Sequence, residues 1–279
     1  MRDLFGYDKV QIAIDRIRQF EPPEGYYLGF SGGKDSCVLK ALANLSGVKY
    51  DAHMSMTTVD PPEVLNFVRE YHPDVKLERP DTNMWKLILY NKMPPTRLVR
   101  YCCRELKETG GMGRLVLTGI RAEESHARSK RQMVEQCRTD PRKRYLHPII
   151  DWTKQEIWQF IKDYNLLYCS LYNEISIDSY CDLEVSNKPT VRTQCSDCTK
   201  RRCHYWSFSR IGCVMCPMGT RKQRERDAGR YPNFYRAYMR AFGKLVETGT
   251  TTWKSADDVM KWWIGNKTRA EYGDKGMFH

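Results

Sequence analysis

The chain reads YYLGFSGGKDS at residues 26–36, and this stretch decides the fold. It starts with five apolar, aromatic or β-inclined residues, which predict a buried strand. Gly32 and Gly33 then allow a sharp turn and a close approach of the backbone to a ligand, because glycine has no Cβ. Asp35 and Ser36 favour the start of the helix that the following residues continue. The order strand, glycine turn, helix therefore predicts an anion site.

This predicted site suits a chain of phosphates. Unpaired backbone N–H groups and the positive end of the helix dipole both point at such a turn. Lys34 adds a mobile cation that can reach a phosphate. The stretch is not a Walker A loop, because that pattern requires glycine where Leu28 stands and serine or threonine where Asp35 stands. The alternative interpretation is a glycine turn that only joins a strand to a helix.

The pattern Ser-Gly-Gly-x-Asp-Ser at residues 31–36 resembles the PP-loop of the ATP pyrophosphatases. In those enzymes the loop holds the β,γ-pyrophosphate, so the bond that breaks lies between the α- and β-phosphates. The implied products are pyrophosphate and either an adenylated intermediate or AMP. The resemblance assigns pyrophosphate binding to the six residues of the loop, Ser31, Gly32, Gly33, Lys34, Asp35 and Ser36.

Length and composition narrow the class of protein. The 279 residues suffice for one substantial core with a smaller appendage, so one or two domains are expected. No stretch approaches about 18 consecutive apolar residues, and the N-terminus lacks the apolar region of a signal peptide. We therefore expect a cytoplasmic protein without membrane attachment. In that compartment the eleven cysteines favour metal or cluster ligation over disulfide bonds.

The net charge of +12 indicates polyanionic partners, and much of it is concentrated in one segment. Residues 200–240 hold eleven lysines and arginines against two acids, which leaves +9. Aromatic residues that can stack on bases interleave with these cations: Tyr205, Trp206, Phe208, Tyr231, Phe234, Tyr235 and Tyr238. A surface for tRNA or DNA and a solvated basic face are both compatible with this pattern.

Strand and helix patterns alternate through residue 161, which predicts an α/β fold. The expected architecture is a Rossmann-like, mostly parallel sheet with helices on both faces. Strands are predicted over residues 26–30, 49–57, 75–77 and 114–120. Helices are predicted over residues 10–20, 61–71 and 84–90, and a capping box opens a further helix after Thr153. The C-terminal region has two more predicted helices, over residues 233–246 and 256–264.

Further candidate ligand residues follow the predicted strands. Asp60 lies at a strand end, where it can hold Mg²⁺ or a ribose hydroxyl or can simply cap the next helix. Thr118 and Gly119 begin a second small-residue turn, and Arg121 and Arg128 follow it. These two arginines are therefore expected near a strand end that can receive a phosphate or sulfate.

Two cysteine pairs lie far apart in the sequence, Cys102 with Cys103 and Cys213 with Cys216. Four thiolates can hold a [4Fe–4S] cluster or a structural Zn²⁺, and buried unligated thiols are the remaining alternative. The PP-loop, Arg100-Tyr-Cys-Cys, Thr-Gly-Ile-Arg121 and Gly212-Cys-x-x-Cys-Pro, in that order, resemble the phosphoadenosine phosphosulfate reductase family. The resemblance covers roughly residues 25–264. It implies an adenine nucleotide alpha-hydrolase-like fold and assigns a [4Fe–4S] cluster to the four cysteines.

The chain departs from the sulfonucleotide reductases of that family, which attack sulfur with a thiol on a C-terminal tail. No cysteine follows Cys216 in this sequence. The C-terminal region is instead similar to reductase-like proteins of phages and mobile elements. Related cluster-bearing PP-loop proteins transfer sulfur in tRNA thiolation and DNA phosphorothioation, where ATP first adenylates the nucleic acid.

A second cysteine group marks a predicted insertion over residues 174–207. Cys-x-x-Cys with two further ligands suits a tetrahedral Zn²⁺ site, and a loop of unligated thiols is the alternative. The candidate ligands are Cys181, Cys195, Cys198 and Cys203, with His204 competing for the fourth place. The predicted domains are therefore residues 1–173 for nucleotide binding, 174–207 for the insertion, and 208–279 for the second cluster pair and the basic helices.

Together these patterns predict an ATP-cleaving, Mg²⁺-dependent enzyme that adenylates an acceptor, here taken to be a nucleic acid, for sulfur transfer. Lys34, Asp35 and Arg121 are the expected catalytic residues: the two cations offset negative charge, and Asp35, with Asp60, holds the metal. A sulfonucleotide reductase that uses an insertion cysteine or an external thiol, such as a thioredoxin-like protein, is the first alternative. The second is a nucleic-acid-binding accessory protein whose nucleotide site is regulatory.

Overall fold

A computed structural model describes residues 1, 6–138, 140–173, 175–177, 205–207 and 210–265 of the chain. The chain forms two compact units. The first unit comprises residues 1–52, 62–75 and 113–211, and the second comprises residues 53–61, 76–112 and 212–279. No helix among the described residues has both the length and the apolar character needed to cross a membrane. The predicted boundaries at residues 173 and 207 stay a prediction, because most of the predicted insertion lies outside the described residues.

The predicted helices and strands are present in the predicted order, and further elements that the sequence did not predict lie between them. The α-helices are α1 (Lys9–Gln19), α2 (Lys34–Ser46), α3 (Pro62–Tyr71), α4 (Met84–Tyr90), α5 (Tyr101–Leu106), α6 (His126–Ser129), α7 (Lys154–Asp163), α8 (Arg221–Arg230), α9 (Pro232–Glu247) and α10 (Ala256–Gly265). The strands are β1 (Tyr26–Gly29), β2 (Tyr50–Ser55), β3 (Lys76–Glu78), β4 (Leu115–Leu117), β5 (Val134–Gln136), β6 (Arg144–Leu146), β7 (Ile175–Ile177) and β8 (Tyr205–Ser207). Short 3-10 helices cover Ala122–Glu124 and Ser170–Asn173.

The larger sheet confirms the predicted α/β class with a mostly parallel sheet. Its six strands lie in the order β3-β2-β1-β4-β6-β5, and β7 and β8 form a separate antiparallel pair. β1 with β4, β2 with β3, and β4 with β6 are parallel, whereas β5 runs antiparallel to β6. The sequence did not predict β5 and β6, because strands of three residues show too little periodicity. The chain leaves β1 toward β2 and later returns to β4 on the other side, which creates a topological switch point between β1 and β4.

Apolar packing holds β1, the strand that precedes the loop at residues 31–36, in place in the first unit. Tyr26 and Leu28 of β1 are fully buried, as are Leu39 and Leu42 of α2. Each such leucine stabilises the fold by about 1.5–3 kcal/mol relative to an exposed one. The Tyr26 hydroxyl donates to the carbonyl of Ile17 over 2.7 Å, which satisfies the buried polar atom and links α1 to the strand.

The second unit is organised around apolar faces of α4, α5, α9 and α10. Tyr238 and Phe242 of α9 pack against Trp263 of α10, and the Trp263 indole N–H donates to the carbonyl of Pro95 over 2.7 Å. α9 starts at Pro232, a position where the missing N–H would have no partner within the helix. The two predicted C-terminal helices are therefore confirmed, with ends that differ by one residue.

Candidate functional site

The turn between β1 and α2 has the backbone shape that the glycine pattern predicted. Gly33 is the N-cap of α2 and supplies no side-chain cap. Gly32 has a φ of +67°, and a Cβ on it would lie 2.7 Å from the Val64 side chain. The conformation and the close contact both require glycine at this position. Glycine therefore lets the loop pack closely against α3 as it enters the first turn of α2.

Two serines hold this turn closed. The Ser31 N–H donates to Ser36 Oγ over 3.2 Å, and the Ser36 hydroxyl donates to the carbonyl of Gly33 over 2.8 Å. These bonds connect the end of the strand with the first turn of the helix. The predicted loop residues therefore lie together on one structure whose backbone N–H groups are fixed before a ligand binds.

Tyr172, which the sequence analysis did not identify, contacts the same turn. Its hydroxyl accepts a hydrogen bond from the Lys34 N–H over 3.1 Å, and its ring lies 5.6 Å from the Lys34 ammonium group. Tyr172 is buried in the first unit, against Trp158 and Tyr168. An anion that used the Lys34 N–H would have to replace the tyrosine hydroxyl, so Tyr172 marks the position where a phosphate oxygen would compete.

The charged side chains of the loop converge on Asp35. Lys34 Nζ lies 2.9 Å from Asp35 Oδ2, and Arg121 Nε lies 2.6 Å from Asp35 Oδ1. Arg121 also contacts Glu123 over 2.8 Å. Lys34 and Arg121 are each only 3% exposed. The expectation of a mobile Lys34 is therefore wrong, because burial and the ion pair with Asp35 hold its ammonium group.

These ion pairs keep Asp35 ionised. Burial alone would raise the pKa of Asp35, but the charges and hydrogen bonds of Lys34 and Arg121 outweigh it and leave the pKa below its usual value. Burial likewise opposes the charge of Arg121, and Asp35 outweighs it and raises the pKa of that guanidinium group. The three predicted catalytic residues therefore form one charged group at the start of α2.

We expect Asp35→Asn to lower the free energy of unfolding by about 3 kcal/mol at neutral pH, because two buried cations lose their carboxylate. The unfolded chain binds a proton at Asp35 more readily than the folded chain does. The stabilisation is therefore present above about pH 4 and is lost as pH falls through the lowered pKa of the folded state. Denaturant unfolding from about pH 7 to about pH 3 measures this difference. The exposed Asp15→Asn control should change stability by less than about 0.5 kcal/mol, and equal effects of the two variants would contradict the prediction.

The turn that follows β4 lies directly against this group. A Cβ on Gly119 would lie 2.9 Å from the carbonyl oxygen of Asp35, so only glycine permits the contact. Thr118, at the end of the strand, places its hydroxyl 2.5 Å from His147 Nδ1. Arg128 forms an ion pair with Glu124. The structure therefore brings Thr118, Gly119 and Arg121 next to the loop, with Arg128 paired to an acid of the same segment.

Asp60 belongs to the second unit and has two hydrogen bonds of its own. Its carboxylate oxygens accept from the Thr57 N–H over 2.6 Å and from the Thr57 hydroxyl over 2.7 Å. These contacts fix the turn of residues 57–60 that precedes α3, and neither of them reaches an N–H of the helix itself. The alternatives of a helix cap and of a ligand to Mg²⁺ or ribose both stay predictions for Asp60.

The four cysteines of the two predicted pairs gather in the second unit. Cys102 and Cys103 lie on α5, and Cys213 and Cys216 lie in the segment before α8. A hydrogen bond from Cys102 lowers the pKa of Cys103 to about 6, and that bond, burial and the charges of the other three thiols raise the pKa of Cys102. Within the described residues, no three His, Cys, Asp or Glu side chains are already spaced to hold a metal ion. The four thiols match an iron–sulfur cluster in donor type and number, and cluster ligation by them stays a prediction.

An exposed lysine lies beside this cysteine group. The charge of Cys213 raises the pKa of Lys107, and Asp60 and Cys103 act in the same direction as Cys213. The Cys213 thiol also lies 3.4 Å from Thr57 Oγ1. Lys107 stands four residues after Cys103, a spacing that places two side chains on the same face of a helix. From that spacing, the position of Lys107 beside the cysteines could have been predicted.

The second cysteine group cannot be described in the same way. Cys181, Cys195, Cys198, Cys203 and His204 all lie outside the described residues, and a zinc site there stays a prediction. Among the residues that the structure does describe, no cysteine forms a disulfide bond.

The sequence places this arrangement in a known family. Residues 25–219 match the family model for the phosphoadenosine phosphosulfate reductase domain. The chain belongs to this family. The predicted family resemblance is therefore confirmed, and the match includes the loop at residues 31–36, the turn at Gly119 and all four cysteines of the second unit.

The individual relatives have low sequence identity to this chain. An uncharacterized protein of Methanocaldococcus jannaschii is 25% identical over 83% of this chain and 52% of its own length. A probable FAD synthase of Schizosaccharomyces pombe is 28% identical over 54% of this chain and 57% of its own length. The chain thus spans only about half the length of the curated relatives it matches.

Two solved structures are similar to part of this chain. One is a phosphoadenylyl-sulfate reductase from Candida auris in a phosphate complex, with 17% identity, a TM-score of 0.43, and coverage of 57% of this chain and 82% of that one. Another is an FMN adenylyltransferase from Candida glabrata with FMN and the ATP analogue AMPCPP. It has 17% identity, a TM-score of 0.41, and coverage of 59% of this chain and 60% of that one.

Proposed function

We propose that this protein binds ATP at the loop of residues 31–36, cleaves it between the α- and β-phosphates, and transfers the adenylyl group to an acceptor. The observation that carries the proposal is the position of the loop. It joins β1 to α2 at the switch point of a mostly parallel sheet, where such sheets bind ligands. Lys34 and Arg121 both form ion pairs with Asp35, which places their positive charges beside this loop.

The loop would hold the β,γ-pyrophosphate with its backbone N–H groups. A nucleophilic oxygen of the acceptor attacks the α-phosphorus, the bond from that phosphorus to the bridging oxygen breaks, and pyrophosphate leaves with the electron pair. Lys34 and Arg121 offset the charge that develops on the leaving group. Their burial strengthens this effect, because water screens a buried charge less.

Asp35 is the residue that would hold Mg²⁺. It is ionised, and each of its oxygens has a lone pair beyond the one used by Lys34 or Arg121. A bound Mg²⁺ would neutralise phosphate charge and orient the leaving group. By sharing its charge with the metal, Asp35 would leave the two cations able to interact with the phosphates.

In the second unit, Cys102, Cys103, Cys213 and Cys216 would hold a [4Fe–4S] cluster. Four cysteine ligands are the usual complement of such a cluster, and the cluster would supply electron transfer or tune the neighbouring chemistry. Lys107 would stabilise the negative charge of the thiolates. The sulfur itself would come from a separate donor, because four protein ligands leave no open iron.

The acceptor in this proposal is a nucleic acid, either tRNA or DNA. Among the described residues, the basic segment forms α8 and most of α9, and many of its cations are exposed: Arg210, Arg221, Lys222, Arg230, Arg236 and Arg240. Exposed cations on adjoining helices can contact successive phosphates of one strand. The family's sulfur chemistry and this basic surface together favour thiolation of a nucleic acid.

We expect the double variant Arg236→Gln, Arg240→Gln to weaken binding of tRNA or DNA. The two residues are exposed and one helical turn apart on α9, so their guanidinium groups can reach the same backbone. Each lost phosphate contact should reduce the slope of log affinity against log salt by about 0.9, or about 1.8 for the pair. Fluorescence anisotropy over a series of salt concentrations measures this slope. Lys162→Gln, an exposed cation on α7, is the control, and an equal loss in the control would remove the assigned surface.

Product analysis tests the proposed function. The purified protein is incubated anaerobically with ATP labelled at the α- and γ-phosphates, Mg²⁺, bulk tRNA or DNA, and sulfide as sulfur donor. Labelled pyrophosphate and AMP are the expected products. ADP with orthophosphate would contradict cleavage at the inner phosphate link. No turnover of ATP would instead favour an accessory protein whose nucleotide site is regulatory.

The family match favours one second candidate, a sulfonucleotide reductase. Such a reductase would use an external thiol or a cysteine of residues 174–207 as its nucleophile. Incubation with adenylylsulfate or its 3′-phosphorylated form and reduced thioredoxin separates the two functions. Release of sulfite would establish the reductase, and its absence alongside pyrophosphate release from ATP would establish the transferase.

A further inference from the structure

Three side chains of the first unit form a continuous hydrogen-bonded chain that starts directly after β4. Thr118 Oγ1 lies 2.5 Å from His147 Nδ1, and His147 Nε2 lies 3.1 Å from Glu135 Oε1. Glu135 also forms an ion pair with Arg131. His147 is fully buried, whereas Thr118 is half-buried and so accessible at one end. The chain therefore runs from the protein interior to a hydroxyl at the end of β4.

The partners of His147 determine the direction of each hydrogen bond. A carboxylate can only accept, so His147 Nε2 must carry the proton that Glu135 receives. Burial, with the charges of Arg131 and Arg128, lowers the pKa of His147 to about 3, so the ring is neutral and its other nitrogen has a lone pair. The hydroxyl of Thr118 must then donate its proton to Nδ1. Thr118 has no second proton, so it can interact with a ligand only as an acceptor.

The position of Thr118 indicates which part of a nucleotide it meets. Gly119, the next residue, packs against the carbonyl oxygen of Asp35 at the start of α2. The phosphates would occupy the turn after β1, and β4 is the neighbouring strand across the switch point. The part of ATP that follows the phosphates along this edge is the ribose, which carries two hydroxyl donors.

The charges around Thr118 agree with a neutral donor. Arg128 is ion-paired with Glu124 and Arg131 with Glu135, so both nearby cations already have acidic partners. A ribose phosphate at this position would meet these two carboxylates as well as the arginines. A ribose hydroxyl is uncharged, so these carboxylates do not repel it, and it needs only one acceptor.

We propose that Thr118, fixed by His147 and Glu135, is an obligatory hydrogen-bond acceptor for a ribose hydroxyl of the bound nucleotide. His147 and Glu135 are positioning residues in this arrangement, since they act on the ligand only through the Thr118 hydroxyl. The inference rests on the proposed ATP site at residues 31–36 and extends it to the sugar. It makes the protein selective for ribonucleotides through a side chain rather than through the phosphates.

Equilibrium binding of three nucleotides tests the proposal. ATP, 2′-deoxy-ATP and 3′-deoxy-ATP are titrated with Mg²⁺ into the full chain and into Thr118→Val, Thr118→Ser and His147→Gln. The unsubstituted protein should bind one of the two deoxy nucleotides about 3- to 10-fold more weakly than ATP, the effect of one uncharged hydrogen bond. Thr118→Val should remove this difference by weakening ATP and the deoxy nucleotide that keeps the contacted hydroxyl, and Thr118→Ser should retain it. His147→Gln should reduce it, because a glutamine amide can donate to Thr118 and free its proton.

Other outcomes overturn the inference. Equal affinity for all three nucleotides, or discrimination that persists in Thr118→Val, removes the assigned role of Thr118. A merely structural role would weaken all three nucleotides alike and leave their ratio unchanged. Thr118→Ser keeps the test decisive if a variant at the buried His147 fails to fold. If the protein cleaves ATP to AMP and pyrophosphate but binds all three nucleotides equally well, only this inference fails. If it binds the three nucleotides with different affinities but produces ADP, only the proposed function is contradicted.

Discussion

Replacing Lys34 with alanine should lower the rate of pyrophosphate release by about 100- to 1,000-fold, the usual loss when one preorganised group that stabilises a transition state is removed. The side chain is buried at the first residue of α2 and is held 2.9 Å from Asp35. Water that replaces it cannot supply an equivalent fixed positive charge. Single-turnover kinetics with labelled ATP measures the rate, and a separate titration measures nucleotide affinity, so that the chemical step and binding are distinguished.

The chain offers a matched control for this experiment. Lys49 is an exposed lysine just beyond the other end of the same helix, and Lys49→Ala should leave the rate unchanged. Arg121 still pairs with Asp35 when Lys34 is replaced, so the variant should remain folded. A Lys34→Ala protein that releases pyrophosphate at the normal rate would show that the loop does not carry out the chemistry.

Replacing Cys102 or Cys213 with serine should reduce the iron content of anaerobically purified protein from about four atoms per chain to nearly none. Serine is a harder and less acidic ligand than a thiol and binds iron–sulfur clusters poorly. The broad absorbance expected near about 400 nm should disappear together with the iron. Iron and sulfide analysis with an ultraviolet–visible spectrum measures both quantities without any assay of activity.

The matched control here is Cys137→Ser, a half-buried cysteine of the first unit that is outside the four-thiol group. This variant should retain iron, sulfide and absorbance. Zinc in place of iron in the unsubstituted protein would assign the four thiols to a structural metal instead. An unchanged spectrum in both Cys102→Ser and Cys213→Ser would remove the cluster assignment altogether.

Local sequence patterns predicted the nucleotide loop closely because its function depends on short-range geometry. Gly32 has the left-handed backbone that the pattern implied, and α2 begins at Lys34, within two residues of the predicted start. The parallel sheet was also predictable, since alternating strand and helix patterns leave few other arrangements. Boundaries were less accurate: the predicted strand over residues 114–120 is only Leu115–Leu117 in the structure.

Contacts between distant segments were not predictable in the same way. Neither Tyr172 nor His147 belongs to a recognisable motif. Tyr172 contacts Lys34, which is 138 residues away in the sequence, and His147 contacts Thr118 at the end of the neighbouring strand β4. The ion pairs of Lys34 contradicted the expected mobile cation, because no local pattern indicates which carboxylate a lysine will meet. His147 directly follows β6, a strand that the sequence did not predict, so its position at a strand end gave no usable signal.

The sequence by itself determined the glycine turn, the α/β class, the family and the identity of the four cysteines of the second unit. Each of these depends on residue type at fixed spacing, which a linear pattern records. Only the tertiary structure decided that Asp35 pairs with both predicted catalytic cations, that Asp60 accepts hydrogen bonds from Thr57, and that Thr118 must accept rather than donate. The physical reason is the same in each case: burial obliges a polar group to find a partner, and folding selects that partner from anywhere along the chain.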